Sequence, residues 1–320
     1  MSLECGSVLN TGTRRLSHKL SFSGVISRHY CVVVIAYVLT GFGELVSILY
    51  VVATPIGNLG DLSKRAAEIL AEVDIVAAED TRHTGRLLSH LGIQTRLIPL
   101  HDHNEGESTE RLLKLLHQGK NVAVVSDAGT PLISDPGYQL VRACLAQGIS
   151  VVPVPGPSSV TAALSVAGLP THRFTFEGFV PAKQKARREF FEGLKHEART
   201  MVLFEAPHRI IDCLGAIQAV IGGSRNISLC RELTKTFEQV TTGTVDELVA
   251  DLATGSVPAK GEFVIVLSGS DQTLNVDADA LLIALGSELS PSKAAAIAAR
   301  LTNLPKAQLY DRALELKNSS

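Results

Sequence analysis

Three short turns couple glycine with proline: Thr54-Pro55-Ile56-Gly57-Asn58, Asp127-Ala128-Gly129-Thr130-Pro131 and Pro155-Gly156-Pro157-Ser158-Ser159. Glycine lets a backbone come close to a ligand, and proline stiffens the loop. Main-chain N–H and C=O groups are therefore held in fixed directions. Ser134-Asp135-Pro136-Gly137 lengthens the middle turn. One such turn is ordinary packing; three in one sheet point to a composite small-molecule cleft. Glu79-Asp80-Thr81-Arg82-His83 is a polar cluster suited to orienting a ligand or to catalysis. It reads equally as a helix start in which Asp80 is the cap, favoured by the helix dipole. In His101-Asp102-His103-Asn104-Glu105, the two histidines would face opposite ways in an extended chain. That fits a polar cleft rim better than a metal site. Lys183-Gln184-Lys185-Ala186-Arg187-Arg188 carries four positive charges and no acid. It could grip phosphates, or it could be a solvated helix.

The elements that must position these groups alternate. Ile48–Ala53 reads as a buried strand, followed by a helix capped by Asp61 and running to Glu72. Asp74–Ala78, Leu97–Leu100, Asn121–Val125 and Ser150–Val154 read as further strands. Helices are expected over Thr84–Leu91, Glu107–Leu116, Gly137–Ala146 and after Pro157. Continuous apolar strands separated by helices predict a mostly parallel sheet covered on both faces. In such sheets ligands bind beyond the carboxyl ends of the strands, where all three turns fall. The second half differs. Strands Phe174–Glu177, Thr200–Phe204, Ile227–Arg231, Phe237–Thr242 and Phe263–Leu267 are only partly separated by helices (184–195, 207–221, 245–253). A hairpin around Thr234 then predicts a mixed sheet. Three helical stretches close the chain, with Ser290-Pro291 and Pro305 as starts. They suit either a helix-turn-helix or a packing appendage, with Asp279, Glu288, Asp311 and Glu315 set against Lys293, Arg300, Lys306, Arg312 and Lys317.

The expected organisation is an extension over 1–46, an α/β domain over 47–157, a second over 158–272 with its boundary in the 156–168 region, and a helical unit over 277–317. The 320 residues are 45% hydrophobic and 19% charged with a net charge of −2. A folded chain results, whose nucleic-acid contacts must come from local basic patches. Five scattered cysteines without a C-x-x-C argue against a disulfide framework or zinc site and suit a reducing cytosol. The apolar run Cys31–Leu39 is far short of the roughly 20 residues that span a bilayer. Arg14, Arg15 and Lys19 ahead of it imitate a signal peptide, but no cleavage site leads into a mature domain. The only methionines are Met1 and Met201, so a translation start near Leu45 or Val46 is expected; N-terminal sequencing that finds Met1 would refute it. Neither G-x-x-x-x-G-K-[ST] nor a G-x-G-x-x-G after a strand is present, which excludes the usual nucleotide triphosphatase and dinucleotide fingerprints.

Leu49-Tyr50-Val51-Val52-Ala53-Thr54-Pro55-Ile56-Gly57-Asn58-Leu59-Gly60-Asp61, Ala78–Thr84, His101–Glu105 and Ser126–Pro131 together resemble the signatures of the small-subunit ribosomal RNA methyltransferase I family. That family lies within the tetrapyrrole (corrin/porphyrin) methylase superfamily. Arg231–Lys235 and the terminal helices are similar too, and the likeness spans about 48–317. Ala206 departs from it, standing where Ser or Thr is typical, and residues 1–46 have no counterpart. The resemblance implies two α/β domains, a homodimer, no metal, and S-adenosylmethionine held between the domains. It implies 2′-O-methylation of a cytidine in the 16S rRNA of the 30S subunit. Donor contacts would come from Pro55, Gly57, Asp127, Ala128, Gly129, Thr130, Pro131, Ile133, Ser134, Pro155, Gly156, Pro157, Ser158, Phe204 and Glu205. Asp80 and His103 would be candidate bases, Arg82 would orient substrate, and Glu205 and Lys235 would be reserves. Lys183, Lys185, Arg187 and Arg188 would meet RNA. Methylation of a small tetrapyrrole, or a non-catalytic RNA-binding role on the same scaffold, are the competing readings.

Overall fold

The computed structural model describes residues 47–101, 105–270, 278–302 and 304–318. The extension 1–46 and His103 lie outside the described residues. Five strands, β1 (Ile48–Val52), β2 (Ile75–Ala78), β3 (Arg96–Pro99), β4 (Val122–Val125) and β5 (Ser150–Val154), form one sheet in the order β3-β2-β4-β1-β5. Every pairing in it is parallel. Four helices connect them: α1 (Lys64–Glu72), α2 (Thr81–His90), α3 (Glu105–His117) and α4 (Tyr138–Ala146).

The apolar residues of each helix recur at helical spacing and choose a face. Ala66, Ile69 and Leu70 of α1 and Leu88 of α2 pack with Tyr50, Val52, Val76 and Ala123 on one side. Leu112 and Leu116 of α3 and Leu140 and Cys144 of α4 pack with Leu49, Ala77, Ile98 and Val124 on the other. The strands therefore read as unbroken apolar runs because neither face meets water. Leu49, Leu112, Leu116 and Leu140 have no exposed surface, and each such burial stabilises the fold by about 1.5–3 kcal/mol.

Caps fix the helix starts. Asp61 does not cap α1. It ends a single 3-10 turn, Leu59–Asp61, held by the Asn58 side chain, and Ser63 accepts the Ala66 N–H instead. The reason is spacing: Ser63 directly precedes the amphipathic run, whereas Asp61 stands three residues ahead of it. Asp80 does cap α2, accepting the Arg82 N–H at 2.8 Å, so this helix starts three residues before the expected Thr84. α4 is capped from a distance. Gly137 has φ +119 and no side chain, and the buried Glu105 carboxylate accepts the N–H groups of Gly137 and Gln139 at 2.9 Å each.

The second sheet, β6 (Phe174–Phe179), β7 (Thr200–Glu205), β8 (Asn226–Arg231), β9 (Gln239–Thr244) and β10 (Phe263–Leu267), has the order β6-β7-β10-β8-β9. β6 runs parallel to β7 and the other pairings are antiparallel, which makes the sheet mixed. The hairpin joins β8 to β9. Phe237 stays out of β9, exposed in the turn, where its carbonyl accepts from Arg231. One face carries α6 (Gln184–Leu194), α7 (Ile210–Val220) and α8 (Val245–Thr254). The other carries α5 (Ser159–Val166) together with Ile56 from the turn after β1. That turn of the first sheet is thereby rooted in the core of the second.

α9 (Ala278–Gly286), α10 (Pro291–Thr302) and α11 (Lys306–Asn318) share a small-residue core of Leu282, Ala294, Ala295, Ala298, Leu309 and Ala313. Arg312, one of the five basic residues here, is spent on Asp279 and Glu315.

Candidate active site

β1 and β4 are neighbours in the sheet, yet the chain leaves them toward opposite faces, to α1 and α4. That is a topological switch point, where an open parallel sheet leaves a crevice at its carboxyl edge. The three glycine–proline turns meet there and bond to one another. Thr54 and Gly129 exchange both backbone hydrogen bonds, at 2.9 and 3.0 Å. The Thr54 hydroxyl donates to the Ser126 carbonyl, and Thr130 Oγ1 donates to the Pro157 carbonyl. Ala53 N–H donates to Val154, and a Cβ on Gly156 would lie 3.1 Å from that of Ala53. The rim is one rigid piece.

This rim opens on a cavity of about 310 Å³, lined by Thr54, Pro55, Ile56, Gly57, Leu59, by His83, Arg86 and Leu87 of α2, by Asp127 and Ala128, and by Lys235 and Glu262. A second cavity, which shares Ile56, includes Gly156, Pro157 and Ser158. Lys235 crosses from the second sheet's hairpin. Its ammonium donates to Glu232 and Glu262 at 2.9 Å each. Burial alone would lower its pKa, but the two carboxylates win and raise it, so Lys235 stays a cation. Gly57 has φ +153, and a Cβ there would sit 2.4 Å from Lys235 Cγ; only glycine allows this approach.

Polar groups at the ends of β2 and β4 form a chain. Asp127 N–H donates to Glu79, and Asp80 N–H donates to Asp127 Oδ1 at 3.0 Å. The Asp80 carboxylate takes two hydrogen bonds from the Arg82 guanidinium, at 3.1 and 2.7 Å. Those bonds, with the Arg82 N–H, hold its carboxyl far below the usual carboxylate range. A carboxylate so stabilised as an anion is a weak base.

The second sheet supplies an aromatic wall. Phe204 meets Phe176 and Phe179 edge-on, with centroids 4.9 and 5.4 Å apart. Beside it the register shifts between Phe176 and Gly178, and a Cβ on Gly178 would lie 3.5 Å from Ser134 Oγ. Ser134 therefore lies beside this wall, and Ile133 is exposed. Glu205 departs from the site expectation. Alternation along β7 turns its side chain away from Phe204, onto the face of α7, where it is buried and ion-paired to Arg209. Arg187 departs too. It is 4% exposed, and its guanidinium donates to the Pro181 and Ala182 carbonyls and lies 3.7 Å from Asp212. Its flanking apolar surface is the buried side of α6, so it anchors the loop after β6. Lys183, Lys185 and Arg188 are exposed.

Among the described residues, four non-glycine positions have positive φ: Leu132, Ser134, Glu232 and Thr234. All four fall in the two loops that bring the second sheet to the first, and such strain gathers at functional sites. Sequence reading missed Arg86 and Glu262. The spacing of His83 and Arg86, three apart on α2, was the available sign; Glu262 gave none.

Residues 48–249 match the family model for tetrapyrrole (corrin/porphyrin) methylases, and 272–317 match the RsmI C-terminal HTH domain. A ribosomal RNA small subunit methyltransferase I of Escherichia coli O157:H7 is 51% identical, covering 83% of this chain and 94% of that protein. One from Xylella fastidiosa (strain Temecula1) is 51% identical over 82% and 97%. Among solved structures, diphthine synthase matches with a TM-score of 0.53 and 18% identity, over 69% of this chain and 90% of that one. The methyltransferase CobJ matches at 0.53 and 17%, over 70% and 95%. These two likenesses concern the fold alone. The rim and strands β6 to β9 of the second sheet fall within the first matched span and nearly all of the terminal helices within the second, and the chain belongs to the ribosomal RNA small subunit methyltransferase I family of the tetrapyrrole methylases.

Proposed function

We propose that this chain transfers a methyl group from S-adenosylmethionine to the 2′-hydroxyl of a cytidine in the 16S rRNA of the 30S subunit, acting in the cytoplasm as a homodimer. The observation that carries the reading is the interlocked rim at the switch point, opening on a cavity that Lys235 closes from the second sheet. The residues fit the donor. Pro55, Ile56, Leu59 and Leu87 offer apolar surface, Asp127 offers a carboxylate to a cation, and the volume lies in the range of small-ligand sites. Pro55, Gly57 and the Asp127–Pro131 and Pro155–Ser158 turns would hold its amino-acid end. Ile133, Ser134 and Phe204 would frame its adenine.

When bound, the donor supplies a methyl on a cationic sulfur, so attack by a neutral hydroxyl disperses charge. The protein's part is chiefly to fix the two reactants and exclude water. The hydroxyl proton must also leave. Asp127 lines the cavity, makes no salt bridge among the described residues, and is oriented by the Asp80 N–H; it takes the proton in this reading, with His103 tested beside it. Asp80 and Arg82 hold the start of α2 in place. Lys183, Lys185 and Arg188 meet RNA phosphates along α6. The test is transfer of tritium from labelled donor to 30S subunits, followed by nuclease mapping. Label on a single cytidine ribose is expected. Label on a base, or transfer to a porphyrinogen without RNA, would refute the proposal.

A further inference from the structure

The α2 wall of the cavity carries cations that the donor site does not use. Three basic side chains border it there or close by, and two are already engaged. Arg82 is closed on Asp80 and Lys235 on Glu232 and Glu262. Arg86 lines the cavity, yet among the described residues it makes no hydrogen bond or ion pair. His83, one turn earlier, lines the same cavity, and positions three apart share a helix face. Of the carboxylates lining the same cavity, Glu262 is paired with Lys235 and Asp127 makes no salt bridge among the described residues, so an anion entering beside Asp127 needs a cation to receive it. A guanidinium answers a phosphodiester with a two-pronged hydrogen bond, and it does not lose its charge at any working pH.

We infer that Arg86, with His83 beside it, is a subsite for an RNA phosphodiester adjacent to the methylated ribose. The inference rests on the proposed RNA substrate. It gives α2 a role distinct from that of the rim: the turns hold the donor, and this helix face sets the sugar against it by gripping the backbone next door. Because the cavity holds both the rim and Arg86, a strand whose phosphate sits on Arg86 brings a neighbouring sugar within reach of the rim.

The experiment measures binding of the full chain to 30S subunits without donor, across a salt series, for wild type, Arg86→Gln, Arg86→Lys and His83→Gln. Calorimetry of S-adenosylmethionine runs in parallel. Arg86→Gln is expected to weaken 30S binding ten- to a hundred-fold and to reduce the slope of log affinity against log salt by about 1. Donor affinity and melting temperature should stay within error of wild type. Arg86→Lys should restore the salt slope but only part of the affinity, since a point charge replaces a fork. His83→Gln should weaken binding less than Arg86→Gln. An Arg86→Gln chain with unchanged 30S affinity and slope would overturn the subsite, as would one that loses donor affinity instead. If wild type binds 30S with the expected Arg86 dependence but transfers no methyl, the subsite stands and the proposed reaction falls.

Discussion

Asp80 and Asp127 lie one hydrogen bond apart and have opposite prospects as bases. Asp80 spends its carboxylate on Arg82 and on the first turn of α2, so protonating it means breaking those bonds first. Asp127 uses one oxygen for the Asp80 N–H and lines the cavity, with no salt bridge among the described residues. Asp127→Asn should therefore cut turnover by about 10²–10⁴-fold, the range of a lost general base. Asp80→Asn should retain most activity, because asparagine still caps a helix. Single-turnover methyl transfer, with calorimetry to hold donor binding in view, checks both. Equal loss in the two variants would return the role to Asp80. Gly57→Ala is the second residue-scale prediction. Its Cβ collides with Lys235 Cγ, and overpacking of this kind costs about 1–3 kcal/mol. A lowered melting temperature and a weaker donor affinity are expected together. The glycine–proline turns were legible in the sequence because their chemistry is local. The tie between Gly57 and Lys235 was not, since it joins residues about 180 positions apart that no periodicity relates.

Among the elements, α6 is the instructive one. Four positive charges in six residues read as a uniform surface stretch, but a helix shows one side to the core. Arg187 falls on that side, and its partners are backbone carbonyls of Pro181 and Ala182, which leave no mark in a sequence. Arg187→Ala removes a buried side chain and the donor of two part-buried hydrogen bonds, so a loss of about 1–3 kcal/mol is expected in chemical denaturation. Lys183→Gln and Arg188→Gln should leave stability unchanged and lower only RNA affinity. An Arg187→Ala chain of full stability would mean that the loop after β6 is held by other contacts. The parallel strands were easily read, since burial on both faces leaves unbroken apolar runs. Helix starts were not, because Ser63 and Asp61 are both good caps, and only the phase of Ala66, Ile69 and Leu70 decides between them.

At the scale of the whole molecule, two sheets of different design meet at loops that neither needs for its own pairing. Ile56 reaches from the first into the core of the second, and Lys235 reaches back. The left-handed residues Leu132, Ser134, Glu232 and Thr234 all sit in those connecting loops. The packing of each sheet tolerates this strain, and the reward is a cleft whose walls come from both. Sequence patterning could show the two sheets and the turns, because those depend on neighbours in the chain. It could not show which groups face one another across the cleft. The central claim is that this cleft holds the methyl donor, and a crystal structure of the chain with S-adenosylhomocysteine tests it most directly. The product is expected against the 54–58, 127–134 and 155–158 turns, its sulfur toward the Asp127 and Arg86 side and its adenine near Phe204. Product seated on another face of either sheet, with the rim closed on itself, would contradict the account.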